Sequence, residues 1–139
     1  MAMTDNVLVR LRRSRGFTLI EMLIVMSIIV VLASVGMMAY QTSVQRSREA
    51  VLKEDLFRMR DAIDQYHADK GKYPTDLNEL VSSTYLRRIP ADPITQSTET
   101  WQAVPAEPDP QRPTAEPGVY DVKSGSDGTS LDGTPYANW

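Results

Sequence analysis

A glycine-phenylalanine junction followed by a single carboxylate is the part of this chain whose residue types could do chemistry. Glu21 lies four residues beyond the junction of Gly16 and Phe17, at the start of an otherwise apolar run that continues to Tyr40. An acidic side chain at the centre of a bilayer costs about 2.5–3.5 kcal/mol, so it needs a partner. Cleavage between Gly16 and Phe17 would create a cationic α-amino group, and we expect that group to be the partner of Glu21.

The apolar run has the length of a membrane span. No charged side chain occurs from Met22 to Tyr40, and a helix of this length covers about 28 Å, close to the thickness of the hydrocarbon core of a bilayer. Residues 33–36 weakly resemble a signal-peptide cleavage site, but the run continues beyond them. A secretory signal peptide and a plain signal-anchor helix stay open as alternatives, although neither explains Glu21.

The residues before the span are basic. Residues 1–16 carry one aspartate and four arginines, which give a net charge of about +3: Arg10, Arg12, Arg13 and Arg15. Basic residues that flank a span stay on the cytoplasmic side of the membrane. We therefore expect a cytoplasmic N-terminus and an exported C-terminal part.

The residues from Gly16 to Glu21, with a basic leader before them and a span after them, resemble the processing motif of type IV pilins and type II secretion pseudopilins. The resemblance implies that a prepilin peptidase cuts between Gly16 and Phe17 and that Phe17 is then N-methylated. It also implies that Glu21 neutralises the N-terminal amine of a neighbouring subunit during assembly. Pairing would offset much of the cost of each charge in a dry helix bundle.

Helical periodicity continues beyond the span. Five apolar residues recur at spacings of four and three, the stripe of an amphipathic helix: Leu52, Leu56, Met59, Ile63 and Tyr66. Gly71 and Pro74 then mark the end of the helix. The pattern predicts one helix over about 18–69, whose second half packs on the C-terminal domain of the same chain, with a coiled coil as the alternative.

Oppositely charged residues four positions apart predict ion pairs on the exposed side of this helix. The three predicted pairs are Glu49 with Lys53, Glu54 with Arg58, and Arg60 with Asp64.

The remaining residues, 71–139, are enough for one small domain. Thr75 or Asp76 can cap a short second helix, with Glu79 placed as in a capping box. Aromatic and β-branched residues predict strands within 100–104 and 118–123, and the prolines between them predict a loop. The expected fold class is therefore α+β and pilin-like, with a long N-terminal helix packed on a small antiparallel sheet.

Two short segments resemble signatures of the major pseudopilin, the G subunit of type II secretion. They are Lys72-Tyr73-Pro74, with its tyrosine-proline pair, and Pro90-Ala91-Asp92-Pro93, with its aspartate-proline pair. That family binds calcium in a C-terminal loop, and in the oxygen-rich tail 124–139 the residues most like its ligands are Asp127 and Asp132. The usual acidic pair before the ending is replaced by residues 133–136, however. The tail is therefore either a calcium site or a metal-free turn held by hydrogen bonds, and no other cofactor is expected.

Composition excludes several functions. The chain has no cysteine, so it has no disulfide and no thiolate site. Its lone histidine, His67, argues against a catalytic triad and against a histidine-based metal site. Removal of the leader would leave 11 basic and 17 acidic residues, a net charge of about −6. Such a surface argues against nucleic-acid binding. We therefore expect that the chain is not an enzyme.

The sequence thus predicts four segments: a leader over 1–16, a membrane and assembly segment over 17–40, an amphipathic helical segment over 41–70, and an exported domain over 71–139. The resemblance implies a homopolymeric pseudopilus subunit of a type II secretion system in the inner membrane, whose C-terminal domain is periplasmic. Its expected partners are the prepilin peptidase, minor pseudopilins and an inner-membrane assembly platform. A type IV pilus subunit and a membrane-anchored periplasmic binding protein stay open as alternatives.

Overall fold

The computed structural model describes residues 16–108 and 110–139, so the predicted leader, apart from Gly16, lies outside the described residues. The elements in chain order are α1 (Leu19–Lys70), α2 (Leu77–Ser82), β1 (Gln102–Pro105), β2 (Val119–Lys123) and a short 3-10 helix (Tyr136–Asn138). The predicted α+β class, with one long helix and a small antiparallel sheet, is confirmed.

Both ends of α1 have local causes in the sequence. Thr18 caps the N-terminus, because its Oγ1 accepts a hydrogen bond from the Glu21 N–H at 3.2 Å and its carbonyl oxygen accepts one from the Met22 N–H at 3.1 Å. At the other end, Gly71 has a φ of +68° and donates its N–H to the His67 carbonyl oxygen. Only glycine adopts this left-handed conformation without steric cost, so the helix ends where the sequence predicts.

The chain divides into two compact units, of which the first ends at Met38 and the second is Ala39–Trp139. The described part of the first unit is helical from Leu19 and has its large apolar side chains exposed, with Leu19 at 92%. By length and composition this helix can cross a membrane. The four functional segments of the chain stay predictions.

The second unit contains the hydrophobic core. Every residue of the predicted stripe on α1 is buried, from Leu52 to Tyr66, and Ala62 joins them. Side chains from the rest of the unit complete this cluster: Leu77, Leu80, Trp101, Val119, Val122 and Tyr136. The amphipathic half of α1 therefore packs on the chain's own C-terminal residues, as predicted.

The sheet has two antiparallel strands with an irregular register. Ala103 pairs with Val122, and Val104 with Asp121, but the next residue of β1 pairs with Val119, which leaves Tyr120 unpaired. Such a β-bulge shifts the alternation of side chains along a strand. This is why Val119 and Val122, three positions apart, are both buried.

The start of α2 follows the capping prediction with one difference. Asp76 is the N-cap residue, and its Oδ1 accepts a hydrogen bond from the Glu79 N–H at 2.8 Å. The Glu79 carboxylate, however, accepts hydrogen bonds from the N–H and the hydroxyl of Thr75. In a capping box the glutamate would accept a hydrogen bond from the N–H of the cap residue, Asp76. Here the donor is Thr75, the residue before the cap.

Candidate functional site

The predicted cleavage point lies in exposed, irregular backbone just before α1. Phe17 is 75% exposed, and apart from the chain neighbours of Gly16, no described residue has an atom within 4 Å of the position that a Cβ on Gly16 would occupy. The bond between Gly16 and Phe17 is thus accessible within the chain.

Glu21 occupies the first turn of α1. The partial positive charge at a helix N-terminus favours an acidic side chain there. Glu21 is exposed, and none of the described residues donates a hydrogen bond to its carboxylate. The carboxylate can therefore accept a cationic partner from another chain.

The C-terminal tail folds back on itself as a tight turn. We call residues 128–136 the closing loop. Thr129 and Pro135 form an isolated antiparallel bridge, and the Ser130 N–H donates to the Thr134 carbonyl oxygen at 2.9 Å. Gly133 turns the chain with a φ of +87°.

The two calcium candidates differ in their surroundings. Both are exposed, but Asp127 lies just before the closing loop, whereas Asp132 lies within it and accepts hydrogen bonds from it. The Ser130 hydroxyl and the Thr134 N–H donate to the Asp132 Oδ1, and these two bonds hold the pKa of Asp132 below its usual range. Calcium binding at Asp127 and Asp132 stays a prediction.

Glu49 contacts the closing loop, a role that the sequence did not indicate. Its Oε1 accepts hydrogen bonds from the Leu131 N–H at 2.9 Å, from the Tyr136 hydroxyl at 2.8 Å and from the Gln45 side chain at 3.2 Å. Burial is the largest cause that raises the pKa of Tyr136. One carboxylate on α1 therefore contacts both halves of the closing loop.

The predicted pair of Glu49 with Lys53 is wrong, because Glu49 is engaged by the closing loop. The Lys53 Nζ lies 4.4 Å from the centroid of the Trp139 ring, in a cation–π contact. The i,i+4 rule ranks only neighbours on the helix, and here the folded tail supplies better partners for both side chains.

The predicted pair of Arg60 with Asp64 is also wrong. The Arg60 Nε donates to Asp121 Oδ1 at 2.7 Å, and its Nη2 donates to the main-chain oxygens of Val122 and Trp139. The third predicted pair, Glu54 with Arg58, is confirmed at 2.8 Å between two exposed side chains.

Asp92, which belongs to one of the two signature segments, is fully buried. Its Oδ1 accepts hydrogen bonds from the N–H groups of Ile94 and Thr95, and its Oδ2 accepts one from the Ser124 hydroxyl. A buried carboxylate is stable only when its oxygens are satisfied in this way. The role of Asp92 is therefore to hold the loop before β1 against the end of β2.

Tyr66 and Glu79 form the link between α1 and α2. The Tyr66 hydroxyl donates to the Glu79 carboxylate. The Thr75 N–H, the Tyr66 hydroxyl and the Thr75 hydroxyl, in decreasing order, lower the pKa of Glu79 to about 2. The same hydrogen bond to Glu79, followed by burial, raises the pKa of Tyr66 to about 12.

Comparison with known proteins adds family information to this geometry. Residues 11–37 match the family model described as the prokaryotic N-terminal methylation motif. Over 99 residues the chain is 32% identical to the type II secretion system core protein G of Klebsiella pneumoniae, which covers 60% of this chain and 71% of that protein. The chain belongs to the type II secretion system core protein G family.

Other relatives agree with this membership. Core protein G of Escherichia coli (strain K12) is 31% identical over 97 residues, or 58% of this chain and 67% of that protein. A fimbrial protein of Eikenella corrodens is 40% identical, but only over 62 residues, 45% of this chain and 40% of its own length. The similarity to core protein G thus extends further along the chain than the similarity to this fimbrial protein. No solved structure matches the chain.

Proposed function

We propose that this core protein G family member is a major pseudopilin, which polymerises into the periplasmic pseudopilus of a type II secretion system and so supports protein export. The observation that carries the proposal is the position of Glu21 in the first turn of an exposed apolar helix, four residues beyond an accessible Gly16-Phe17 bond. This position lies within the matched methylation motif. The proposed role is structural and not enzymatic.

Assembly follows from the charges at the start of α1. Cleavage between Gly16 and Phe17 creates the amine, and the Glu21 carboxylate of a neighbouring subunit pairs with it as the helices pack. Methylation of the amine leaves its positive charge in place. Because both charges leave water, the pair is stable only when it is complete, and it sets the axial register of neighbouring subunits.

Before assembly, α1 anchors the subunit in the inner membrane. The arginines of the leader keep the N-terminus in the cytoplasm, and the C-terminal unit lies in the periplasm. The prepilin peptidase reads the leader, and minor pseudopilins and an inner-membrane assembly platform are the further partners. The exposed apolar residues of α1 would then form the centre of the filament.

Processing is tested on the protein extracted from membranes of cells with an intact secretion system. We expect N-terminal sequencing and mass spectrometry to find a chain that begins at Phe17 and carries one methyl group on its amine. A Gly16→Leu variant, which blocks access to the bond, is the control and should keep the leader. An uncut native chain would instead support a membrane-anchored binding protein.

The assembly role of Glu21 is tested separately from processing. Glu21→Ala and Glu21→Val should be inserted and cleaved, but loss of one member of a buried ion pair costs about 3–5 kcal/mol, so their filament yield should fall by at least about tenfold. Glu54→Ala, which removes an exposed acid of the same helix, is the matched control. Normal filament yield from Glu21→Val would contradict the proposed pairing.

A type IV pilus subunit is the second candidate, because pilins are among the relatives. The two functions differ in where the filament ends and in what fails without it. Deletion of the gene should retain secreted proteins in the periplasm if the chain is a pseudopilin. Loss of surface fibres with intact secretion would favour the pilus.

A further inference from the structure

Several main-chain oxygens of the closing loop are already engaged within the turn and are not directed at a metal ion. Calcium takes six to eight oxygens, mainly from carboxylates and main-chain carbonyls. In the closing loop, the carbonyl oxygens of Gly128, Ser130 and Thr134 accept main-chain hydrogen bonds from Tyr136, Gly133 and Ser130. These carbonyls are directed at N–H groups of the turn itself.

The carboxylates near the loop are too few to form a calcium site by themselves. Asp132 uses its Oδ1 to accept two hydrogen bonds within the turn, and Asp127 lies exposed before the loop. Across residues 16–108 and 110–139, no group of three acidic or histidine side chains gathers where it could hold a metal ion. The donor set of this chain therefore does not fit the calcium site that the family resemblance implies.

Glu49 supplies what a metal ion would otherwise provide, which is a charge that ties the loop to the rest of the unit. Its Oε1 accepts hydrogen bonds from the Leu131 N–H and the Tyr136 hydroxyl, on opposite sides of the turn at Gly133. Gln45, one turn earlier on α1, donates to Glu49 and also contacts the Tyr136 hydroxyl at 3.2 Å. Hydrogen bonds to an ionised acceptor are stronger than neutral ones.

We propose that Glu49 closes the C-terminal loop of this chain in place of a bound metal ion, so that the fold of the second unit does not depend on calcium. The loop is attached through its N–H and hydroxyl donors to an anion on α1. A calcium site would require the opposite arrangement, in which oxygens of the loop converge on a cation. This inference concerns the folded chain and does not rest on the proposed function.

The metal dependence is tested on the full chain in detergent, by thermal unfolding and by hydrogen exchange of residues 128–136. We expect the same midpoint and the same exchange rates in millimolar calcium and in excess chelator. The Asp127→Ala, Asp132→Ala double variant controls for the predicted ligands. A saturable rise in midpoint or protection with calcium, lost in the double variant, would overturn the proposal.

The role of Glu49 is tested by Glu49→Ala and Glu49→Gln beside the matched control Glu54→Gln, an exposed acid on the same helix. Since alanine favours a helix, a loss of loop protection in Glu49→Ala cannot come from weaker helix propensity. Loss of the charged acceptor should speed the exchange of the Leu131 N–H by about tenfold or more, with calcium or without it. Glu49→Gln, which keeps a neutral acceptor, should show a smaller effect.

Each result decides the question. If Glu49→Ala exchanges in the closing loop as slowly as Glu54→Gln, Glu49 does not hold the loop. If Glu49→Ala does not fold, Glu49→Gln and the chelator experiment on the unaltered chain decide it. Restoration of loop protection in Glu49→Gln by calcium would mean that a metal can hold the loop, and would contradict the proposal.

Discussion

At the scale of single residues, the carboxylate of Glu79 connects two helices and makes the stability of the chain sensitive to acid. Its pKa is about 2 instead of the ordinary 4.5, because Thr75 and Tyr66 donate hydrogen bonds to its charged form. A lowered pKa in the folded state contributes stability that is complete above pH 4.5 and is lost as the pH falls towards 2.

Glu79→Gln should therefore remove part of the acid-induced loss of stability. We expect the unfolding midpoint of the unaltered chain to fall between pH 4.5 and 2, and that of Glu79→Gln to fall less over the same range. Thermal unfolding in detergent at a series of pH values measures this difference. Glu54→Gln serves as the control, and its unfolding midpoint should fall as much as that of the unaltered chain. If the midpoint of Glu79→Gln fell by the same amount, Glu79 would not have the assigned role.

At the scale of elements, Arg60 joins α1 to β2 and to the last residue. Its guanidinium makes three hydrogen bonds across the chain, to Asp121, Val122 and Trp139, and the side chain is only 36% exposed. Hydrogen bonds to charged groups contribute about 1.5–3 kcal/mol when their partners lose water. The hydrophobic cluster brings α1, β2 and Trp139 together, and the directional hydrogen bonds of Arg60 fix their relative orientation.

Arg60→Ala should lower the free energy of unfolding by about 2 kcal/mol, because it removes the charged partner of Asp121 and leaves that carboxylate only the Val122 N–H. Arg58→Ala on the same helix breaks an exposed pair and should cost no more than about 0.5 kcal/mol. Urea unfolding followed by tryptophan fluorescence measures both variants. Equal losses in the two would mean that Arg60 acts only as a helix-surface residue.

The elements were predictable where a local pattern decides them. The stripe from Leu52 to Tyr66 and the glycine after Lys70 give α1 its buried face and its end, and both follow from spacing. Glu49 and Arg60 were not predictable, because their partners lie more than 60 positions away in the chain. The i,i+4 rule considers only the helix, and so it paired these two residues with the wrong neighbours.

The candidate sites divide in the same way. The positions of Gly16, Phe17 and Glu21 follow from the sequence, since an exposed bond just before a helix and a carboxylate in its first turn are local properties. Their roles in processing and assembly stay predictions. The closing loop depends on where the tail folds back, and its oxygen-rich composition suits both a cation and a set of turns. The bulge at Tyr120 is equally invisible in the sequence, because the partner strand determines it.

At the scale of the whole molecule, the chain separates an apolar helical unit from a unit with its own core. The second unit begins at Ala39 and contains every residue of the buried hydrophobic cluster, of which Leu52 is the first in the chain. A fragment of residues 39–139 should therefore fold without detergent and unfold cooperatively. Because it keeps the whole buried cluster, its unfolding midpoint should lie within about 5 °C of that of the full chain, a difference of about 1 kcal/mol in stability.

A shorter fragment that begins at Ile63 provides the contrasting case. It lacks Leu52, Leu56 and Met59, and each such buried side chain contributes about 2–5 kcal/mol. Their combined loss is of the same size as the 5–15 kcal/mol that stabilises an ordinary domain, so this fragment should not fold. Circular dichroism and the sharpness of amide resonances compare the two. If the shorter fragment folded, the second half of α1 would not be needed for the core of the second unit. If the longer fragment needed detergent, that unit would not fold by itself.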